Sequence, residues 1–347
     1  MTSVHRVTRV ARSGLVVLLT GVSLAACQEP ADRTVIAVLA PDGTAALVRE
    51  PGRTAFLERV GVRCPDCEVR IHSGGTSVQD LEGALDEGAD VVVVEALTAV
   101  QGAELVTAAG AVPVVALDRF FAGADFFVSY DRASMGIVVA EAVADELDRS
   151  ATALVVNRST VDTDTDAVER GLRDGLDSGR VEVAAELDAA TGTSEETRAW
   201  VGDRLEGRGG RDVGAIVTVS DEQALGVVDA LQDARVPRPR WPLVTGAGAD
   251  LAAVRRIITG DQSLTVHMPI ARTAQRAADV ALSLASENPG DDLRGATEVE
   301  GVPAYVYRPV LVDLAHVTDV VVRDGTFTTE ELCAGPVADD CARLGIR

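Results

Sequence analysis

Lysine is absent from all 347 residues, so every positive side chain is an arginine. That excludes Schiff-base chemistry through a lysine and the lysine of a phosphate loop. Positive charge as a whole is short: 32 basic residues face 54 acids, for a net charge of −22. A surface this acidic argues against nucleic acid as a partner and against a basic membrane-facing patch. Histidine is scarce too, with four in all, and His5 lies in the N-terminal segment that ends at Cys27. His72, His267 and His316 belong to no His-Glu-x-x-His pair, and no Gly-x-Ser-x-Gly elbow follows that segment. The constellation that an enzyme needs is missing, and neither a cofactor nor a metal site is expected. Gly246-Ala247-Gly248 follows a strand-like run, but Leu251 stands where a dinucleotide fingerprint wants Gly or Ala. A tight turn accounts for it better.

The apolar run Leu15 to Leu24 is too short to span a bilayer. It follows Arg6, Arg9 and Arg12 and ends in Leu24-Ala25-Ala26-Cys27. A charged start, a short apolar middle and small residues before a cut are the marks of a secretory signal. With cysteine just after the cut, the pattern resembles the bacterial lipoprotein signal. The resemblance implies that residues 1–26 are removed and that the Cys27 thiol takes lipid, with an ordinary signal peptide or a short anchor as alternatives. Thiol lipid plus an acylated amine supplies the more than one chain that stable anchoring requires. Residues 1–26 hold three Arg and no acid, so their loss moves the net charge from −22 to −25. A polar tether, 27–33, then leads to a body working outside the cytoplasm, lipid-anchored to the bacterial cell membrane.

Four cysteines remain: Cys64, Cys67, Cys333 and Cys341. Outside the cytoplasm an even set reads first as disulfides. The local pairs Cys64–Cys67 and Cys333–Cys341 are the simplest of the possible connectivities. Cys64-Pro65-Asp66-Cys67 has a redox dithiol as its rival reading, but that needs a strand-to-helix context, whereas this motif follows a helix pattern and precedes a strand pattern. A zinc site is the remaining alternative.

Beyond the tether, strand and helix patterns alternate. Strand-like runs are 35–39, 69–72, 91–95, 114–117, 127–129, 153–156, 181–187, 215–219, 243–245 and 264–267. Helical patterns cover 45–60, 78–87, 100–109, 132–149, 166–177, 194–208, 222–234, 251–259 and 270–286. Several strands are unbroken Val, Ile and Leu, as expected of parallel strands covered on both faces. The alternation predicts an α/β fold with doubly wound parallel sheets. It is too long for one such sheet of usual size, so two lobes are expected.

Segments in fixed order extend this reading. They include Ala89 to Val94, Val112 to Arg119, Asp125 to Asp131, Ala215 to Asp221, Ala252 to Ile257, Leu264 to Ile270 and the stretch from Val302 to Cys333. In these the chain resembles the periplasmic sugar-binding proteins of ABC transporters, specifically the xylose-binding type, over roughly Val35 to Cys341. The resemblance implies a type I periplasmic binding protein: two lobes joined by a three-crossing hinge, with ligand in the cleft. Lobe 1 is expected over 34–130 and 264–302, and lobe 2 over 131–263 and 303–347. The crossings would fall near Tyr130–Arg132, Gln262–Leu264 and Gly301–Pro303.

Ligands of open α/β sheets bind outside the strands' carboxyl ends. The candidate ligand residues are therefore Asp118, Arg119, Asp131, Asp164, Ser220, Asp221 and His267. Carboxylates paired with Arg read sugar hydroxyls through charge-assisted hydrogen bonds. Four of them have a plainer reading: Asp221 as a helix cap, Asp118-Arg119 as a surface ion pair, and Asp131, with Arg132, as a stiffener of the hinge.

Much of the implied sugar-reading shell is replaced. Leu47 and Met268 stand for basic residues, Ala247-Gly248 for a Gln-Asp pair, and Thr163-Asp164 for paired Asn. Ser220 and Arg132 each stand for Asn, and Gly192 for a stacking aromatic. Asp118, Arg119, Asp131 and Asp221 remain as matches. The expected function is a lipid-anchored solute-binding protein of an ABC importer, with an ABC permease as partner and a small polar solute as ligand. A sugar is the family default, and surplus carboxylate favours a solute with a positive group. The alternative is a lipoprotein that kept the fold, lost sugar binding and acts as a sensory or interaction protein.

Overall fold

Unbroken apolar runs become central strands because each strand feeds two cores at once. The four valines of β3 (Val91–Val94) are fully buried. Val91 and Val93 join one hydrophobic cluster, Val92 and Val94 the other. β1 (Val35–Ala40) divides the same way, with Ile36 and Val38 on one side and Ala37 and Leu39 on the other. A fully buried Val or Ile contributes roughly 1.5–3 kcal/mol, so the strand pattern and the two-faced coverage stabilise each other.

The computed structural model describes residues 33–41, 47, 50–147, 151–158, 163–179, 181–206, 213–286 and 293–346. The expected signal over 1–26, Cys27 and the tether to residue 32 lie outside the described residues, as does the side chain of Asp164.

The first lobe is a seven-stranded sheet. β2 (Glu68–Ser73), β1, β3, β4 (Val114–Leu117) and β5 (Phe126–Tyr130) run parallel. β12 (Val302–Tyr307) adds parallel to β5, and β11 (Thr297–Val299) closes the edge antiparallel. α1 (Gly52–Arg63) and α9 (Ile270–Leu284) cover one face, packing Phe56 and Val60 with Ala277, Val280 and Ala281. α2 (Val78–Asp86) and α3 (Ala99–Ala109) cover the other through Leu81 and Leu105. The helix expected over 45–60 starts instead at Gly52, after Pro51, which has no N–H to give to a helical turn.

The second lobe has a parallel sheet ordered β7 (Glu182–Ala189), β6 (Thr152–Arg158), β8 (Val213–Thr218) and β9 (Leu243–Val244). α4 (Arg132–Glu146) and α5 (Thr163–Gly179) lie on one face. α6 (Ser194–Glu206) and α7 (Asp221–Asp233) lie on the other. α4 and α5 approach closely because Gly136, Gly171 and Gly175 leave no side chain between them. β10 (Leu264–His267) and β13 (Val310–Asp313) pair antiparallel. β10 is tied to the β9 region by Gly248 N–H to the Val266 carbonyl and Ser263 N–H to the Val244 carbonyl. The tail, with α8 (Leu251–Thr259), α10 (Thr329–Leu332) and α11 (Ala338–Leu344), forms its own cluster around Val254, Ile257, Leu332 and Cys341.

These pairings move two of the three crossings. β10 belongs with β13 and β12 with β5. The chain therefore passes between lobes at Asp131, at Met268–Pro269 and at 308–309. The expectation had put the last two near Gln262–Leu264 and Gly301–Pro303, with β10 in lobe 1 and β12 in lobe 2. Strand-like residues declare a strand, but only its hydrogen-bonded neighbour declares its sheet.

Candidate functional site

β4 ends in a backbone position that an aspartate rarely takes. Asp118 has φ 65, which costs a non-glycine residue about 1–2 kcal/mol. Three hydrogen bonds hold it there. Asp118 N–H donates to the Val128 carbonyl at 2.9 Å and Arg119 N–H to the Leu117 carbonyl at 2.8 Å. The Ser129 hydroxyl donates to the Asp118 carbonyl at 2.7 Å. Strain of this kind persists only where its surroundings over-determine it, and it concentrates at functional sites.

The strained turn presents the Asp118 carboxylate, with the side chain 47% exposed, to Arg132 at the start of α4. Arg132 Nη2 donates to Asp118 Oδ1 at 2.5 Å, and Nη1 donates to the Met268 thioether at 3.3 Å. One guanidinium thus ties a strand end of lobe 1, the first helix of lobe 2 and the second crossing. The rest of the hinge is tied in the same manner. The Tyr130 hydroxyl donates to the Pro269 carbonyl at 3.0 Å, and Asp131 N–H to the Tyr307 carbonyl at 2.8 Å. Burial pushes the Tyr130 phenol well above its usual range, so it remains a neutral donor.

Asp118, Ser129, Tyr130, Asp131 and Arg132 line a cavity of about 640 Å³. Phe120, Phe127 and Val306 form apolar wall, and Ala167 of α5 brings the second lobe to its rim. A volume of this order suits a small ligand, and an apolar wall with a few fixed polar groups is the usual composition of such a site.

Of the other described candidates, Asp131 shares this wall and the rest do not. Asp131, though on the wall, is the N-cap of α4: its carboxylate accepts from Ser134 N–H at 3.2 Å and from the Ser134 hydroxyl at 2.5 Å. Arg119 is half-buried beside Asp118 and is not on the cavity wall. Ser220 caps α7, accepting from Gln223 N–H at 3.2 Å. Asp221 is only 4% exposed, with its carboxylate committed to the Thr265 hydroxyl at 2.8 Å, the Gln262 amide at 3.1 Å and Asp250 N–H at 3.1 Å. Burial raises its pKa despite those bonds. Asp221 is thus a buried structural node rather than an open carboxylate, and the cap of α7 is its neighbour. His267 is likewise 4% exposed and bonded to Asp324 at 2.8 Å. Burial raises the Asp324 pKa, but the His267 and Thr326 bonds outweigh it and hold the group low.

The sequence places Tyr130 and Arg132 at a hinge crossing, with Arg132 as a stiffener and a departure from Asn, but does not mark Ser129, Tyr130 or Arg132 as ligand residues. A signal was present: Ser129-Tyr130-Asp131-Arg132 is an unusually polar close to an apolar strand, at the point where the chain leaves its sheet. At Gly192 the loop is braced from within. The Glu196 carboxylate accepts from the backbone N–H of Ala190, Thr191 and Gly192 and from the Thr191 hydroxyl. The Thr191 bonds lead in lowering its pKa, to about 2.

A model of the periplasmic binding protein domain matches residues 72–289. The chain belongs to that family. Among curated relatives, the D-xylose-binding periplasmic protein of Haemophilus influenzae is 28% identical over 228 residues, covering 64% of this chain and 68% of that one. The Escherichia coli protein of the same name is 26% identical over 266 residues, covering 74% and 79%. Among solved structures, a periplasmic ribose ABC transporter protein from Conexibacter woesei superposes with a TM-score of 0.70 at 18% identity, covering 89% of this chain and 97% of that one. A carbohydrate transporter solute-binding protein from Chloroflexus aurantiacus, in complex with D-glucose, gives 0.68 at 19% identity, covering 86% and 98%. The structural likeness establishes the type I periplasmic binding protein fold. The curated relatives are named for binding D-xylose and the solved structures for transport, and this member of the periplasmic binding protein family is not an enzyme.

Proposed function

We propose that the chain is an extracytoplasmic solute-binding protein of an ABC importer, which holds a small polar solute between its lobes and passes it to a permease. The observation that carries this reading is the cavity at the hinge. Asp118 of lobe 1 and Arg132 of lobe 2 meet on its wall, beside the crossings about which the lobes would close. The sugar-binding names of the relatives support a sugar or sugar-derived solute. The signal ending in Leu24-Ala25-Ala26-Cys27 supports a lipid anchor on Cys27 and an acidic body held at the outer face of the cell membrane.

A thermal-shift screen of the chain from Gln28 onward against sugars, polyols, sugar acids, amines and nucleosides tests the binding role. A ligand at a hundred times its Kd adds about 2.7 kcal/mol, which such a screen detects. Failure of the whole screen removes the solute-binding role. For the anchor, Cys27→Ala should abolish metabolic lipid labelling and release the protein from the membrane fraction. Unchanged labelling would end that part of the reading.

A further inference from the structure

We propose that Arg132 is the specificity-determining residue of the hinge cavity, and that with Asp118 it selects a polyhydroxy carboxylate over a neutral sugar. This rests on the solute-binding reading above. The two side chains offer opposite chemistry side by side. Asp118 has one carboxylate oxygen on Arg132 and no protein partner on the other among the described residues, and its side chain is half-exposed. It is an acceptor for a ligand hydroxyl. Arg132 is donor-only, and its five N–H groups are poorly met. Among the described residues one goes to a single oxygen of Asp118 and one to the Met268 sulfur, a weak acceptor, and the buried Nε has no partner. Whatever meets this guanidinium must accept, and a planar carboxylate matches its fork best.

A hydroxyl for Asp118 adjacent to a carboxylate for Arg132 describes a sugar acid. Of the three carboxylates on the cavity wall, Asp118 is offset by the Arg132 charge and Asp131 by the α4 N-terminus, while exposed Glu300 has no ion pair among the described residues, so an anion's place is at Arg132. A neutral sugar, by contrast, would compete with Arg132 for Asp118 while giving the guanidinium only hydroxyl oxygens. A guanidinium bond to a hydroxyl is charged on one side only, whereas a carboxylate brings the opposite charge and can accept two parallel bonds, so the preference should be tenfold or more.

Calorimetry on the full chain in detergent with D-xylonate and D-xylose tests this. The expected result is at least tenfold tighter binding of xylonate. Arg132→Asn should cut xylonate affinity at least tenfold and abolish the preference, while Asp118→Asn, which leaves the guanidinium in place, should weaken both probes and keep it. Circular dichroism and melting confirm that each variant is folded. Tighter binding of xylose by the natural chain, survival of the preference in Arg132→Asn, or binding of neither probe by any form overturns the assignment. If a neutral sugar from the wider screen binds and Arg132→Asn leaves its affinity unchanged, the solute-binding role stands and Arg132 has no part in it. If nothing in the wider screen binds, both fall.

Discussion

Adding one methyl group to α5 should destabilise the second lobe, although the same change elsewhere should stabilise it. Gly175 faces α4 at a point where a Cβ would lie 2.5 Å from the Ala140 Cβ, against the 3.4–4 Å of ordinary contact. The helices would have to separate by about an ångström along a seam that Gly136 and Gly171 hold at backbone contact, and neither backbone can rotate away. Overpacking of this kind costs about 1–3 kcal/mol, sometimes more. Against it stands a helix-propensity gain of about 1 kcal/mol for Gly→Ala. Packing should win, leaving Gly175→Ala less stable by up to about 2 kcal/mol, a fall in Tm of up to several degrees. Gly171→Ala should be worse, because its Cβ would meet the Ala133 carbonyl oxygen, which is backbone. Gly202→Ala in α6 is the control: nothing lies within 4 Å of a Cβ there, so propensity acts alone and Tm should rise. In the double variant Gly175→Ala with Ala140→Gly the methyl group changes helix and the space is restored. It should be more stable than the sum of the single changes allows, a coupling of about 1 kcal/mol or more. Differential scanning calorimetry of the set decides. If Gly175→Ala raises Tm as Gly202→Ala does, or the double variant shows no coupling, the close-packed seam is refuted.

Asp221→Ala should lose about 2–4 kcal/mol in urea titration, because Thr265, Gln262 and Asp250 N–H are left without their buried acceptor. Because burial raises the Asp221 pKa, the folded state takes up this proton first. The natural chain should gain stability over Asp221→Asn as pH falls from neutral toward the ordinary carboxylate range; a flat difference between the two would be the contrary result. For Glu196 the sign is reversed. With a pKa lowered to about 2, its bracing of the 190–192 loop should be full above the ordinary value near 4.3 and fade as pH falls toward 2. Amide exchange of Ala190 to Gly192 measures it, and Glu196→Gln should speed that exchange at neutral pH. Mass spectrometry of a non-reduced digest should recover Cys64–Cys67 and Cys333–Cys341, whose Cα atoms are 5.3 and 5.8 Å apart. Cys341→Ser should cost about 2–3 kcal/mol by loop closure, read as faster proteolysis of the tail after residue 317; free thiols or a crossed pair in exported material would contradict the pairing.

The alternation of strands and helices was legible because it rests on local facts. A run such as Val91–Val94, four β-branched residues in a row, favours a strand buried on both faces, and a helix between two such runs makes the next strand parallel. The cysteine pairs are local as well, at separations of 3 and 8. Three things needed the tertiary structure. The sheet that β10 and β12 join depends on partners far away in sequence: β12 pairs with β5 in the register Ala304 to Phe127. The part played by each aspartate after a strand depends on what surrounds its carboxylate. Asp131, Asp118 and Asp221 look alike in sequence, yet one caps a helix, one faces a cavity and one is enclosed by groups 29 to 44 residues away. Last, the partner of Asp118 is Arg132, across the hinge, because the turn at φ 65 aims its carboxylate at the start of α4. Burial pattern is written along the chain, whereas the pairing of strand edges and of charges is set by distance in space, which only the folded chain defines.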